Sequence, residues 1–117
     1  MGEQPSPHAR LRLLSQTCEG RLICTRVLDL AAPSLNAVQM ANYRHRLAAA
    51  SDDWQAHFEA LGDALNHIAW VVGRSLPPLP LSVRGPDWYA ARAERDAAVN
   101  APLHELLDRA CAPDEEN

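Results

Sequence analysis

Between residues 52 and 76, Trp54, Phe58, Leu61, Leu65, Ile68, Val72 and Leu76 recur at alternating spacings of four and three. At about 100° per residue this pattern places all seven side chains in one narrow stripe. A repeat close to 3.5 residues is the seam along which helices pack against each other, so this segment must be a long amphipathic helix with a helical partner. Ser51-Asp52-Asp53 supplies oxygen acceptors for its start, and the helix is expected to run to Arg74 or Ser75. The opposite face carries Glu59, Asp63, Asn66 and His67, and also Trp70, a large apolar side chain where solvent would be expected.

The segment that follows, "SLPPLPLSVRGP", cannot continue the helix. Its four prolines remove backbone donors and push the preceding residues into extended geometry. Residues 76–86 are therefore expected to form a polyproline-like strap. Asp87 then starts a helix to about Val99, with Trp88, Ala91, Ala98 and Val99 inward. Asn100 caps a last short helix with Pro102 in its first turn and Leu103, Leu106, Leu107 and Ala110 as its stripe. Upstream, Ser34 is read as the cap of a helix over 35–50. Its apolar residues fall on two faces, Leu35, Val38, Ala41 and Ala48 against Met40, Tyr43 and Leu47, which suggests a central helix packed on both sides.

Residues 9–31 support two readings, one of them a β-hairpin over 9–28. "ARLRLL" alternates with period two and "LICTRV" is β-branched, which would suit a β-hairpin turning at "CEGR". The same residues place Leu11, Leu14 and Cys18 on one helical face and Ile23, Val27 and Leu30 on another, and short helices are the reading adopted. The expected fold is all-α: a small bundle of four to five helices. Residues 1–8 would be a flexible arm, 9–111 a single helical domain and 112–117 an acidic flexible tail.

Composition narrows the function classes. Net charge is −4, and all the basic residues are Arg, as a GC-rich genome produces. The acidic balance argues against a nucleic-acid partner, and the absence of Lys removes a Schiff base or a phosphate loop of the Walker type. Three cysteines without a CxxC pair argue against a disulfide framework or zinc knuckle and for a reducing, cytoplasmic setting. No apolar run is long enough for a membrane span. Asp53/His57 and Asp63/His67 have helical i, i+4 spacing, but without a companion ligand set they read as solvent-side hydrogen-bonded pairs. His45, on an apolar face, reads as a hydrogen-bonded interior or interfacial residue. No nucleophile elbow or oxyanion loop surrounds a cysteine. The chain is therefore expected to be non-catalytic, with no cofactor and no metal.

Two stretches look like recognition elements. In 54–66, the anchors Trp54, Phe58, Leu61 and Leu65 with Gly62-Asp63 and Asn66 resemble the BH3 motif of the Bcl-2 network. That resemblance implies a helix laid into an apolar groove, with the Asp meeting a groove Arg. "RSLPPLP", Arg74 to Pro80, resembles the R-x-x-P-x-x-P class of SH3 ligand, which implies an ordered polyproline segment read by aromatic grooves. The expected function is a protein-interaction or regulatory module, self-associating as a homodimer or binding another protein, through Glu59, Gly62, Asp63, Asn66, His67, Trp70, Arg74, Pro77, Leu79 and Pro80. The alternatives are a BH3-like regulator, and a small-ligand or enzymatic α-domain using the Asp63/His67/Trp70 face.

Overall fold

The computed structural model describes residues 5–79 and 85–112 and is all-helical over them. Its helices are α1 (Pro7–Ser15), α2 (Cys18–Leu30), α3 (Ala37–Ala50), α4 (Trp54–Arg74) and α5 (Pro86–Cys111), with a 3₁₀ turn at Ala32–Ser34. Of the two readings for residues 9–28 the helical one holds, as α1 and α2. Helix α1 begins at Pro7, inside the stretch expected to be a loose arm. Ser6 explains this: its side chain accepts the Ala9 N–H at 3.1 Å, and Pro7 stands where its missing donor costs nothing.

Each start has its own chemistry. Thr17 accepts the Gly20 N–H at 2.9 Å and opens α2 after a two-residue corner. Asn36, and not Ser34, caps α3. Its side chain accepts the Gln39 N–H at 2.8 Å while the Gln39 carbonyl oxygen accepts the Asn36 N–H at 3.0 Å, a complete capping box. Asp53 accepts from Gln55 and Ala56 at the start of α4.

Helix α4 is the centre of the bundle and packs against α1, α2, α3 and α5. Ala60, Leu61, Ala64, Leu65 and Ile68 are all buried, and they share one core with Leu11, Cys24, Val27, Leu28, Met40, Tyr43, Leu47, Leu103 and Leu107. The two-sided reading of α3 is corrected here: only its Met40–Tyr43–Leu47 face is buried, whereas Val38, Ala41 and Ala48 are exposed. Alanine fits either environment, so two alanines and one valine could not distinguish a packed face from a wet one. The break expected at Asn100 is also absent. Helix α5 runs through Pro102 because Trp88 near its start and Leu103, Leu107 and Ala110 near its end are buried along one continuous rod. That burial outweighs the backbone hydrogen bond that Pro102 cannot donate.

Two tight places stand out. At the α1–α2 corner, a Cβ on Gly20 would overlap the Leu14 carbonyl, 2.6 Å from its carbon and 2.8 Å from the Leu14 Cα. At the α3–α4 turn, the Asp53 N–H donates to the Ala50 carbonyl at 2.8 Å, and Ser51 has φ 51° and ψ −115°. Those are the dihedrals of the first central residue of a type II′ turn, where glycine is at home and a side chain is strained.

Three substitutions follow in chemical-denaturation measurements. Gly20→Ala is expected to lose about 3 kcal/mol, since the clash is with backbone rather than a flexible side chain. Gly62→Ala should gain up to about 1 kcal/mol, because its Cβ would make only an ordinary 3.6 Å contact with His8 Cδ2. Ser51→Gly should gain about 1 kcal/mol by relieving the turn.

Candidate functional site

The residues singled out in the sequence separate onto three places. The first is a cavity of about 290 Å³ between α1, α3 and α4, lined by His8, Arg46, Phe58, Glu59, Gly62, Asp63 and Asn66. It gathers four of the expected residues, Glu59, Gly62, Asp63 and Asn66. The Asp63 carboxylate meets Arg46 of α3 at 2.9 Å, the two side chains being 56% and 35% exposed. Beneath them, burial first and then the Asp63 charge push the Tyr43 phenol above its ordinary pKa. Gly62 is buried, and its carbonyl accepts the Nε2–H of His8 at 3.2 Å.

This arrangement accounts for the BH3-like pattern from inside the chain. Leu61 and Leu65 are about 1% exposed, and Trp54 and Phe58 are half-buried, with Arg12 stacked 5.9 Å from the Trp54 ring centre. Leu61 and Leu65 are buried in the core, and the acidic residue meets an arginine of this same protein. The pattern of stripe, small residue and Asp is satisfied by α1 and α3.

The second place is the outer face of α4's last turns. The Asn36–Gln39 box fixes the Gln39 amide with its oxygen toward the backbone, which leaves the amide nitrogen to donate to His67 Nε2 at 3.0 Å. The His67 ring lies 6.0 Å from the Trp70 ring at 35°, and the Arg74 guanidinium sits 4.6 Å from the Trp70 centroid. Trp70 is nevertheless 59% exposed, with Val71 38% exposed beside it and Val38, the neighbour of Gln39, 78% exposed. An exposed indole is thus braced from two sides by a chain of contacts that begins at a helix cap.

The third place is the segment after α4; of the strap expected over 76–86, residues 80–84 lie outside the described residues. Leu76 to Leu79 have no regular secondary structure, and Pro80, the last residue of the SH3-ligand-like stretch, lies outside the described residues. Pro77 and Pro78 are exposed, while Leu76 and Leu79 are half-buried and border a cavity of about 270 Å³ against Ala91, Glu94, Arg95 and Ala98 of α5. Arg95 donates to the Gly73 carbonyl at 2.9 Å, placing a cation at the C-terminus of α4. Arg74, the basic residue of the motif, is engaged by Trp70.

The histidines depart from their expected settings. His45 is exposed rather than interior. His57 is not a solvent-side partner of Asp53: it is 6% exposed, and its buried Nδ1 has no hydrogen-bond partner. Burial first, and the Arg21 charge second, lower its pKa. Nothing in the i, i+4 spacing signalled this, because His57 stands to the side of the apolar stripe. Among the described residues no group of three or more His, Cys, Asp and Glu side chains could hold a metal ion. No described helix is long and apolar enough to cross a membrane. Cys24 is buried with its thiol pushed up to about 11 by burial, 3.7 Å from Ser15 Oγ, whereas Cys18 and Cys111 are exposed. Comparison with protein-family models, curated proteins and solved structures finds no match.

The Arg46–Asp63 pair is partly wet, so a double-mutant cycle with Arg46→Ala and Asp63→Ala should give a coupling of about 1 kcal/mol or less. A coupling several times larger would mean that the pair is a buried structural element.

Proposed function

We propose that this protein is a non-catalytic interaction module that self-associates through the outer face of α4, with Trp70 at the centre of the contact. The observation that carries the reading is Trp70 itself, 59% exposed yet held between His67 and Arg74. A fixed indole loses little side-chain entropy on docking, and Trp and Arg are the residues most enriched among those that dominate interface energies. Val71, 38% exposed, is the next residue of the same helix.

An isologous contact between two copies fits such a patch, because a two-fold axis through it brings apolar surface against apolar surface. The Asp63 side of the helix has less support for this purpose, since Asp63 is engaged by Arg46 and two of the BH3-like anchors, Leu61 and Leu65, are buried in the core. A small-ligand role for Asp63, His67 and Trp70 together has less support. Asp63 borders a cavity with His8 and Asn66, while His67 and Trp70 engage Gln39 and Arg74.

Analytical ultracentrifugation over a hundredfold concentration range tests the reading. The native chain is expected to sediment as a dimer at the upper concentrations. Trp70→Glu should remain monomeric throughout with the melting temperature of the native chain, since the ring contributes little to the core. A native chain that is monomeric at every concentration would overturn self-association. A Trp70→Glu variant that still dimerises would move the contact elsewhere.

A further inference from the structure

The inner side of α4 carries a group that neither the core nor the Trp70 face uses. His57 is 6% exposed, one turn inside the start of α4, and forms part of the wall of a cavity of about 320 Å³. From α2 that wall takes Leu28 and Asp29, and from α3 it takes Arg44 and Leu47. The buried Nδ1 has no partner. A bare lone pair in such a place costs less than an unsatisfied N–H, so the neutral ring keeps its proton on Nε2. Protonation would add an N–H at the buried Nδ1 with no acceptor to receive it.

The charges around the ring do not help a proton to bind. Arg21 of α2 raises the positive potential at the ring, and its guanidinium is fixed by a 3.0 Å hydrogen bond to the Ser15 carbonyl. Arg44 of α3 adds a second cation. Asp29, the carboxylate among the cavity residues, is already held by Arg44 at 3.2 Å. On α4 itself the Asp53 carboxylate is committed to the Gln55 and Ala56 N–H groups.

We infer that His57 is an acid-sensitive latch: its protonation releases the first turns of α4, from Trp54 to about Phe58, from α2 and α3. The release stays local because Ala60, Leu61 and the rest of the buried face hold α4 beyond it. This end of α4 begins at the strained Ser51 turn, whereas the far end is tied to α5 by the Arg95–Gly73 hydrogen bond. The inference is independent of the Trp70 contact, which lies on the other face and at the other end of the helix.

The sign follows from the direction of the shift. Burial lowers the folded-state pKa below the ordinary 6.5. The stability that His57 contributes as a neutral group is therefore complete above about pH 6.5 and is lost as the pH falls below it. At one unit below the ordinary value, the opening equilibrium can rise at most about tenfold.

Hydrogen exchange at pH 7.5 and 5.5, scaled for intrinsic chemical exchange, tests this on the native chain. Amides of 54–58 should open several-fold more at the lower pH, up to that tenfold ceiling, while those of 103–110 change little. His57→Met, which fills the site without a titrating group, should abolish the difference. An equal acid response in His57→Met, or a response spread evenly over all helices, would overturn the latch. Should His57→Met fail to fold, the ring itself decides by NMR: a His57 titrating clearly below 6.5 supports the latch, and one titrating at or above 6.5 overturns it.

Discussion

Everything in this bundle depends on the burial of one helix side. Helix α4 touches all four of the others, and its Ala60, Leu61, Ala64, Leu65 and Ile68 are at most 3% exposed. Small and large side chains share that face, so neighbours can come close at the alanines while the leucines fill the space between. A single stripe would suffice for a two-helix seam. Four partners require more, and Ala60 and Ala64 widen the face enough to receive α1 and α5 beside α3.

The seam was legible in the sequence because it is long, regular and made of residues with no alternative use. The termini of α4 were legible for a related reason: Asp53 and the strap prolines act through local chemistry. What was not legible depended on partners distant in the chain. The dry and wet faces of α3 differ mainly in what lies opposite, and Ala41 and Ala48 carry no preference. The continuity of α5 through Pro102 depends on burial near both of its ends, at Trp88 and at Leu107. The setting of His57 depends on Arg21 and Leu28, some thirty residues earlier in the chain.

The candidate site was legible as a set of residues but not as an arrangement. Glu59, Gly62, Asp63 and Asn66 border one cavity and the His67–Trp70–Arg74 group forms another surface, a division set by where Arg46 and Gln39 reach across from α3. The absence of Lys acquires a physical meaning here. Arg12 stands over Trp54, Arg74 over Trp70 and Arg92 over Trp88. A flat guanidinium can stack on an indole while its edge still donates hydrogen bonds, which a compact ammonium does less well.

The contact of Arg10 with His104 and Asp108 joins α1 to α5 across 94 and 98 positions of sequence, at 3.0 and 2.7 Å. Its position sets an order of assembly. Helices α3 and α4 are joined by a three-residue turn and can find each other while most of the chain is still unordered, as can α1 and α2 across Gln16-Thr17. The α1–α5 clasp must wait, because the loop it closes contains nearly the whole molecule. The bundle is then two helical hairpins that can form early and a final helix that fastens them.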